Sequence, residues 1–182
     1  MRKNAMEYLQ RLTEAERNRI EKNQWNQVLQ TGRWKEAGTI AITVSKYPEW
    51  STYSYLESAW AQGKTVAVPK VDPLDKGMEF YEVGSYDHLK EGYKGIMEPD
   101  SSFCSPIHKT DIDLLFVPGL LFNYEGYRIG FGGGFYDRYL TDFFGATISV
   151  TSEAQLKQII PLEAHDIPVQ MVVTENRTIR IF

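Results

Sequence analysis

With 182 residues, 42% of them hydrophobic and 24% charged, the chain can bury one sizeable core, and its length fits a single domain over residues 1–182. A formal net charge of -4 argues against a surface given over to nucleic acid or to an anionic membrane, yet leaves room for a local basic pocket that takes a small anion. The lone Cys104 cannot make an internal disulfide, and the start MRKNAMEYLQR has no apolar signal core, so a cytoplasmic protein is expected, monomeric or weakly dimeric.

Ala5, Met6, Leu9 and Leu12 recur at helical spacing, and Thr13 with Glu16 forms a capping box that starts a second helix through Ile20, Trp25, Val28 and Leu29. Five short apolar runs then read as buried strands: Thr39 to Val44, Thr65 to Val68, Ile112 to Val117, Thr147 to Val150 and Met171 to Thr174. Helical patterns lie between them at Tyr53 to Ala61, before Gly63, and at Glu153 to Ile159, before Pro161. Strand alternating with helix predicts an α/β three-layer sandwich around a mainly parallel, doubly wound sheet. Met78 to Val83 and Arg177 to Phe182 alternate in the manner of half-exposed strands and predict antiparallel additions at the edges.

The most informative stretch runs from Ile112 to Leu140. A strand too apolar to face water ends at Pro118-Gly119, which places the residues after it at the carboxyl edge of the sheet, where open α/β sheets bind ligands. The run GFGGGFYDR, residues 130 to 138, then enters a helix marked by Phe135, Tyr136, Tyr139, Leu140 and Phe143. Glycines there can turn through positive φ and let consecutive N–H groups converge on one anion, for which phosphate is the natural guest. The run is neither a Walker lysine motif nor a dinucleotide fingerprint, and by itself it also fits a tight turn with no ligand. Arg128 and Arg138 bracket it with guanidiniums suited to phosphate. Asp137 either holds a hard divalent cation beside that phosphate, or caps the helix or pairs with Arg138.

PGLLFNYEGYRIGFGGGFYDRYL closely resembles the signature of the 5-formyltetrahydrofolate cyclo-ligase family, also called 5,10-methenyltetrahydrofolate synthetase. VSKYPEWST, GKTVAVPK, GIMEP and IPLEAHDIPVQMVVTE resemble further family segments in the same order, so the likeness covers nearly the whole chain. The resemblance implies an ATP site at Arg128, Ile129, Gly130, Phe131, Gly132, Gly133, Gly134, Phe135 and Tyr136, with Phe131 to Phe135 also touching the folate. It implies magnesium on Asp137 and Asp166, a pterin contact by Glu49 and an apolar neighbour in Val44. Arg2 matches the arginine of a family K-x-x-x-R that reaches the nucleotide. The lysine would precede Met1, so either the chain begins late or the nucleotide loses one cationic contact. Gln170 stands where an acidic residue is common in the family.

The implied reaction is ATP- and Mg²⁺-dependent closure of 5-formyltetrahydrofolate to 5,10-methenyltetrahydrofolate, with ADP and phosphate released through a phosphorylated formyl group. Arg128 and Arg138 would be its catalytic cations. The rival is a sensor of phosphorylated sugar on the same sheet, binding at the glycine run without turnover; it has no need for paired Asp137 and Asp166. Cys104 beside Ser105 and His108 imitates a nucleophile and base, but such partners generally meet through the fold rather than in sequence. His165 reads as a surface histidine or one that orients Asp166. Trp50, Trp60, Tyr53 and Tyr55 read first as helix and core material, with pterin stacking by one of them as the lesser alternative, while Phe122, Tyr124 and Tyr127 are the better candidates for pocket walls.

Overall fold

The computed structural model describes residues 1–182. Helix α1 (Arg2–Arg11) is followed by α2 (Glu14–Gln30), and the junction is the expected capping box: Glu16 N–H donates to Thr13 Oγ1, and Thr13 N–H donates to the Glu16 carboxylate at 2.8 Å. The chain continues through α3 (Gly32–Glu36), β1 (Thr39–Ala41), α4 (Tyr53–Ala61), β2 (Thr65–Val71), β3 (Met78–Glu82), β4 (Leu89–Glu91), β5 (Met97–Pro99) and β6 (Pro106–Ile107). The second half holds β7 (Leu114–Phe116), β8 (Leu121–Asn123), β9 (Arg128–Ile129), α5 (Phe135–Leu140), β10 (Ala146–Val150), β11 (Leu156–Lys157), β12 (Met171–Val173) and β13 (Thr178–Arg180).

Eight strands form the main sheet in the order β13-β12-β10-β7-β1-β2-β3-β6. From β12 to β2 all neighbours are parallel; β13 on one edge and β3 on the other are antiparallel, as the alternating patterns predict, and β6, which those patterns do not include, adds antiparallel outside β3. The parallel strands are apolar on both faces because both are covered. Ile40, Ile42, Val66, Val68, Leu114 and Phe116 pack under α2, α3 and α4 with Trp34 and Leu56. Ala41, Ala67, Leu115 and Val117, one residue out of phase, pack on the other side against Tyr139 and Leu140 of α5. A third cluster, including Leu9, Trp50, Leu120 and Ile129, lies beneath α1.

From β1 the chain moves one way to β2, whereas β7 and β10 lie on the other side of β1. The strand order therefore reverses between β1 and β7, and crevices in open α/β sheets open at the carboxyl ends of such a pair.

Two segments differ from the sequence reading. The helix expected over Glu153 to Ile159 is one 3-10 turn, Glu153–Gln155, followed by β11, which pairs in parallel with β8 at Leu156↔Phe122. Buried Gln155 explains it, since its amide is held by Trp50, Leu120 and Ser152 and a helix would swing it out of reach. The β8–β9 and β4–β5 hairpins are not visible in the hydrophobic pattern, because their pairs are two or three residues long and too short to show a period. No helix is long and apolar enough to cross a membrane.

Candidate active site

The carboxyl ends of β1, β7 and β10 frame a cleft of about 70 Å³, floored by Phe116, Leu120 and Val150 and walled by Trp50, Tyr55 and Phe131. Glu49 is the carboxylate on its wall. Its carboxylate accepts from Lys46 N–H at 3.0 Å, and burial raises its pKa above the ordinary carboxylate value, partly offset by Lys46. The Glu49 loop is pinned from behind by Arg17, whose guanidinium donates to the Leu9, Pro48 and Glu49 carbonyls at 2.7, 3.0 and 3.1 Å and stacks over the Trp50 ring.

Beside this cleft lies a second cavity of about 370 Å³, lined by no apolar side chain. Gly132, Gly133, Gly134, Asp137, Arg138 and Lys76 contribute to its wall, whereas Phe131 turns into the apolar cleft, so the glycine loop is the partition between the two. Gly132 and Gly134 have φ of +93° and +69°, the left-handed turns that only glycine adopts without strain. None of the backbone N–H groups from Phe131 to Tyr136 has an acceptor within the protein. Helix α5 is only six residues long, so its dipole adds little, and the unpaired donors that belong to cavity-lining residues are those of Gly132, Gly133 and Gly134.

Arg128 and Asp137 do not both face that cavity as free groups. Arg128 is 8% exposed and donates to Asp137 Oδ1 at 2.8 Å and to the Ile167 carbonyl at 2.7 Å. Ile167 N–H donates to the same Asp137 oxygen at 3.2 Å. Burial lowers the Arg128 pKa, and Asp137 counteracts it. Arg138 is exposed and unpaired by any carboxylate, its guanidinium resting against the Gly133 and Gly134 carbonyls. Arg2 reaches the glycine loop, with Nε 2.9 Å from the Gly130 carbonyl.

Asp166 itself lines neither cavity, although its neighbour His165 lines the polar one and the Ile167 N–H bond ties its turn to Asp137; the Asp166 carboxylate accepts from Glu163 N–H at 2.7 Å. The side chains of Asp137 and Asp166 are 21% and 19% exposed, which leaves each an accessible edge. No group of three or more His, Cys, Asp or Glu could hold a metal unaided. Two hard carboxylates, with the remaining positions left to phosphate oxygens and water, fit magnesium.

Several expected residues lie elsewhere. Val44 is 1% exposed in the core, and its neighbours Thr43 and Ser45 line the cleft instead. Ile129 and Phe135 do not line either cavity; Ile129 is buried under α1. Tyr136 points inward to share a 2.8 Å hydrogen bond with Thr43, and burial pushes its hydroxyl up to about 12. Trp50 and Tyr55 are core residues as expected and also wall the cleft, whereas Phe122 is fully buried in the core and Tyr124 lies over Arg177, so neither lines either cavity. Gln170 is a structural acceptor, shared by Arg33 and Thr147 N–H. Cys104, its pKa raised by burial, holds a core position with His88 as neighbour and lines neither cavity.

Arg17, Thr43, Gln155 and Lys76 were not singled out in the sequence. Each reaches the site across a sequence gap of tens of residues, and nothing in local spacing marks such a contact.

A sequence model of the 5-formyltetrahydrofolate cyclo-ligase family matches residues 1–175. The chain is 29% identical over 161 residues to the 5-formyltetrahydrofolate cyclo-ligase of Haemophilus influenzae, covering 86% of each chain. It is 30% identical over 145 residues to that of Escherichia coli strain K12, covering 78% of this chain and 80% of that one. The NMR structure of Aquifex aeolicus 5,10-methenyltetrahydrofolate synthetase superposes with a TM-score of 0.87 at 30% identity, over 99% of this chain and 90% of that one. A synthetase from Mycoplasma pneumoniae, 19% identical, shares the fold with a TM-score of 0.77.

Proposed function

The chain belongs to the 5-formyltetrahydrofolate cyclo-ligase family and is an enzyme of that type; on that premise we propose that it joins N10 to the formyl carbon of 5-formyltetrahydrofolate in an ATP-dependent reaction across the two adjoining cavities. The single observation that carries this reading is the glycine loop between them, with its uncommitted N–H groups on one side and Phe131 on the other.

The pterin occupies the apolar cleft, with Glu49 accepting its N–H groups and Trp50 and Tyr55 against its rings. The phosphates of ATP occupy the polar cavity, held by the loop amides and Arg138. A formamide carbonyl is a weak electrophile and its oxygen a poor leaving group. The formyl oxygen therefore attacks the γ-phosphorus and ADP departs, leaving an iminium-like phosphate ester. N10 then attacks the formyl carbon, loses its proton, and phosphate leaves with the oxygen as the methenyl bridge forms. The protein supplies proximity, orientation and charge stabilisation rather than a covalent nucleophile.

Asp137 and Asp166 would hold magnesium, which when bound neutralises charge between nucleotide oxygens. Arg128 acts one step back, fixing Asp137 and the Asp166-Ile167 turn. Family membership weighs against a non-catalytic sensor of phosphorylated sugar.

The test is to mix protein, ATP, magnesium and 5-formyltetrahydrofolate and follow the absorbance of the methenyl product. Product that requires ATP supports the reading; folded protein that yields none overturns it.

A further inference from the structure

We infer that Lys76, on the loop between β2 and β3, is a third cation for the phosphate chain, gripping it from the side opposite the glycine loop. The inference rests on the reading that ATP phosphates fill the polar cavity. Lys76 lines that cavity together with Gly132, Gly133 and Arg138, although 56 residues of chain separate it from the nearest of them, Gly132. Its ammonium takes part in no ion pair, while the cavity's Asp137 is already engaged by Arg128. The only other titratable group on that wall is His165, which leans toward Glu163 at 3.5 Å. An unpaired lysine and an unpaired arginine facing a run of open amides make a site for more than one anionic oxygen.

The loop that carries Lys76 is built rather than loose. Asp72 N–H donates to the Gly77 carbonyl at 2.9 Å, closing the hairpin. Asp72 Oδ1 accepts from Leu74 N–H and Asp75 Oδ1 from Gly77 N–H, turning the chain tightly enough that Lys76 holds a φ of +59°. The hairpin is also registered on the glycine loop, because Phe80 of β3 packs on Tyr139 of α5 with ring centroids 5.0 Å apart. The β3–α5 contact thus anchors both segments that bring Lys76 and the glycines to one cavity, and a point charge on a flexible stem can follow a phosphate chain held there.

The experiment is a calorimetric titration of ATP with magnesium into the wild type, Lys76→Met, Lys76→Arg, Gly133→Val and Lys22→Met, with steady-state KM values for ATP and 5-formyltetrahydrofolate alongside. Lys76→Met is expected to weaken ATP about tenfold, as loss of one charge-assisted contact does, with folate KM and the circular dichroism spectrum unchanged. Lys76→Arg should recover most of the affinity, and Lys22→Met, an exposed lysine of α2, should lose none. ATP affinity unchanged in Lys76→Met while Gly133→Val still weakens it would overturn the Lys76 inference and leave the ATP reading standing. A folded wild type that takes up no ATP would overturn both.

Discussion

Arg128 and Asp137 form a buried ion pair, 2.8 Å from Nη2 to Oδ1, at the boundary between the glycine loop and the turn that carries Asp166. The arginine side chain is 4% exposed, so that carboxylate is what compensates its buried charge. Sequence spacing alone suggested two arginines both facing phosphate. The fold instead divides the labour: Arg138 remains open and Arg128 braces the proposed metal carboxylate.

Asp137→Asn should therefore do two things. Turnover should fall at least about a hundredfold if the carboxylate holds magnesium. Unfolding free energy should also fall, by about 2 kcal/mol, because Arg128 is left buried beside a neutral amide. Urea denaturation with a double-mutant cycle against Arg128→Met checks the second point: the two losses should be far from additive. Wild-type turnover in the variant would remove Asp137 from the chemistry.

Gly133→Val should weaken ATP by crowding rather than by backbone strain. Positive φ sits at Gly132 and Gly134, whereas a Cβ on Gly133 would lie 2.6 Å from the Phe135 ring. The ring must move, and with it the start of α5, so the amides lose their common focus. About a tenfold or greater rise in ATP Kd, with little change in melting temperature, is the expected result. Equal ATP affinity would show that the loop amides do not cradle the nucleotide.

Glu49→Gln should separate stability from function. Burial raises the Glu49 pKa, so the carboxylate is easier to protonate folded than unfolded. The stability that goes with this is fully present below about pH 4, near the unfolded carboxylate pKa, and is lost as pH rises through the higher folded value. Near neutral pH the glutamine variant should thus be at least as stable as the wild type, and the difference should shrink on acidification. Folate should bind about ten- to a hundredfold more weakly, since a charge-assisted acceptor becomes a neutral one. Thermal melts across that pH window, paired with folate titrations, decide it; a variant that binds folate normally would take Glu49 out of the pterin site.

The features legible in the sequence and those hidden from it obey one physical rule. The parallel strands and α4 were legible because Ile40, Val66 and Leu114 are buried by elements on both faces, which leaves uninterrupted apolar runs. The capping box at Thr13 was legible because its partners are three residues apart. The glycine loop announced itself by composition, but not that Tyr136 would turn inward to Thr43 or that Trp50 rather than Phe122 would wall the cleft. Those outcomes depend on which strand ends become neighbours, and strand order is a property of the assembled sheet. The misread helix at Glu153 belongs to the same class, since one buried amide overrode a local pattern.

Gln155→Ala tests that amide directly. Its Oε1 accepts from Trp50 Nε1 at 2.7 Å, and its Nε2 donates to the Leu120 carbonyl at 2.8 Å, so a single side chain ties two residues that line the cleft to the end of β10. Alanine would leave an indole N–H and a carbonyl buried without partners, which costs about 2–4 kcal/mol of unfolding free energy. Trp50 is also held by Arg17, so the ring should loosen rather than leave, raising the folate KM several-fold while ATP binding stays unchanged. Tryptophan fluorescence and the two KM values report this together. If stability falls and both KM values hold, Gln155 supports the core alone; if the folate KM rises with the ATP KM fixed, the cleft depends on a residue no local pattern could have marked.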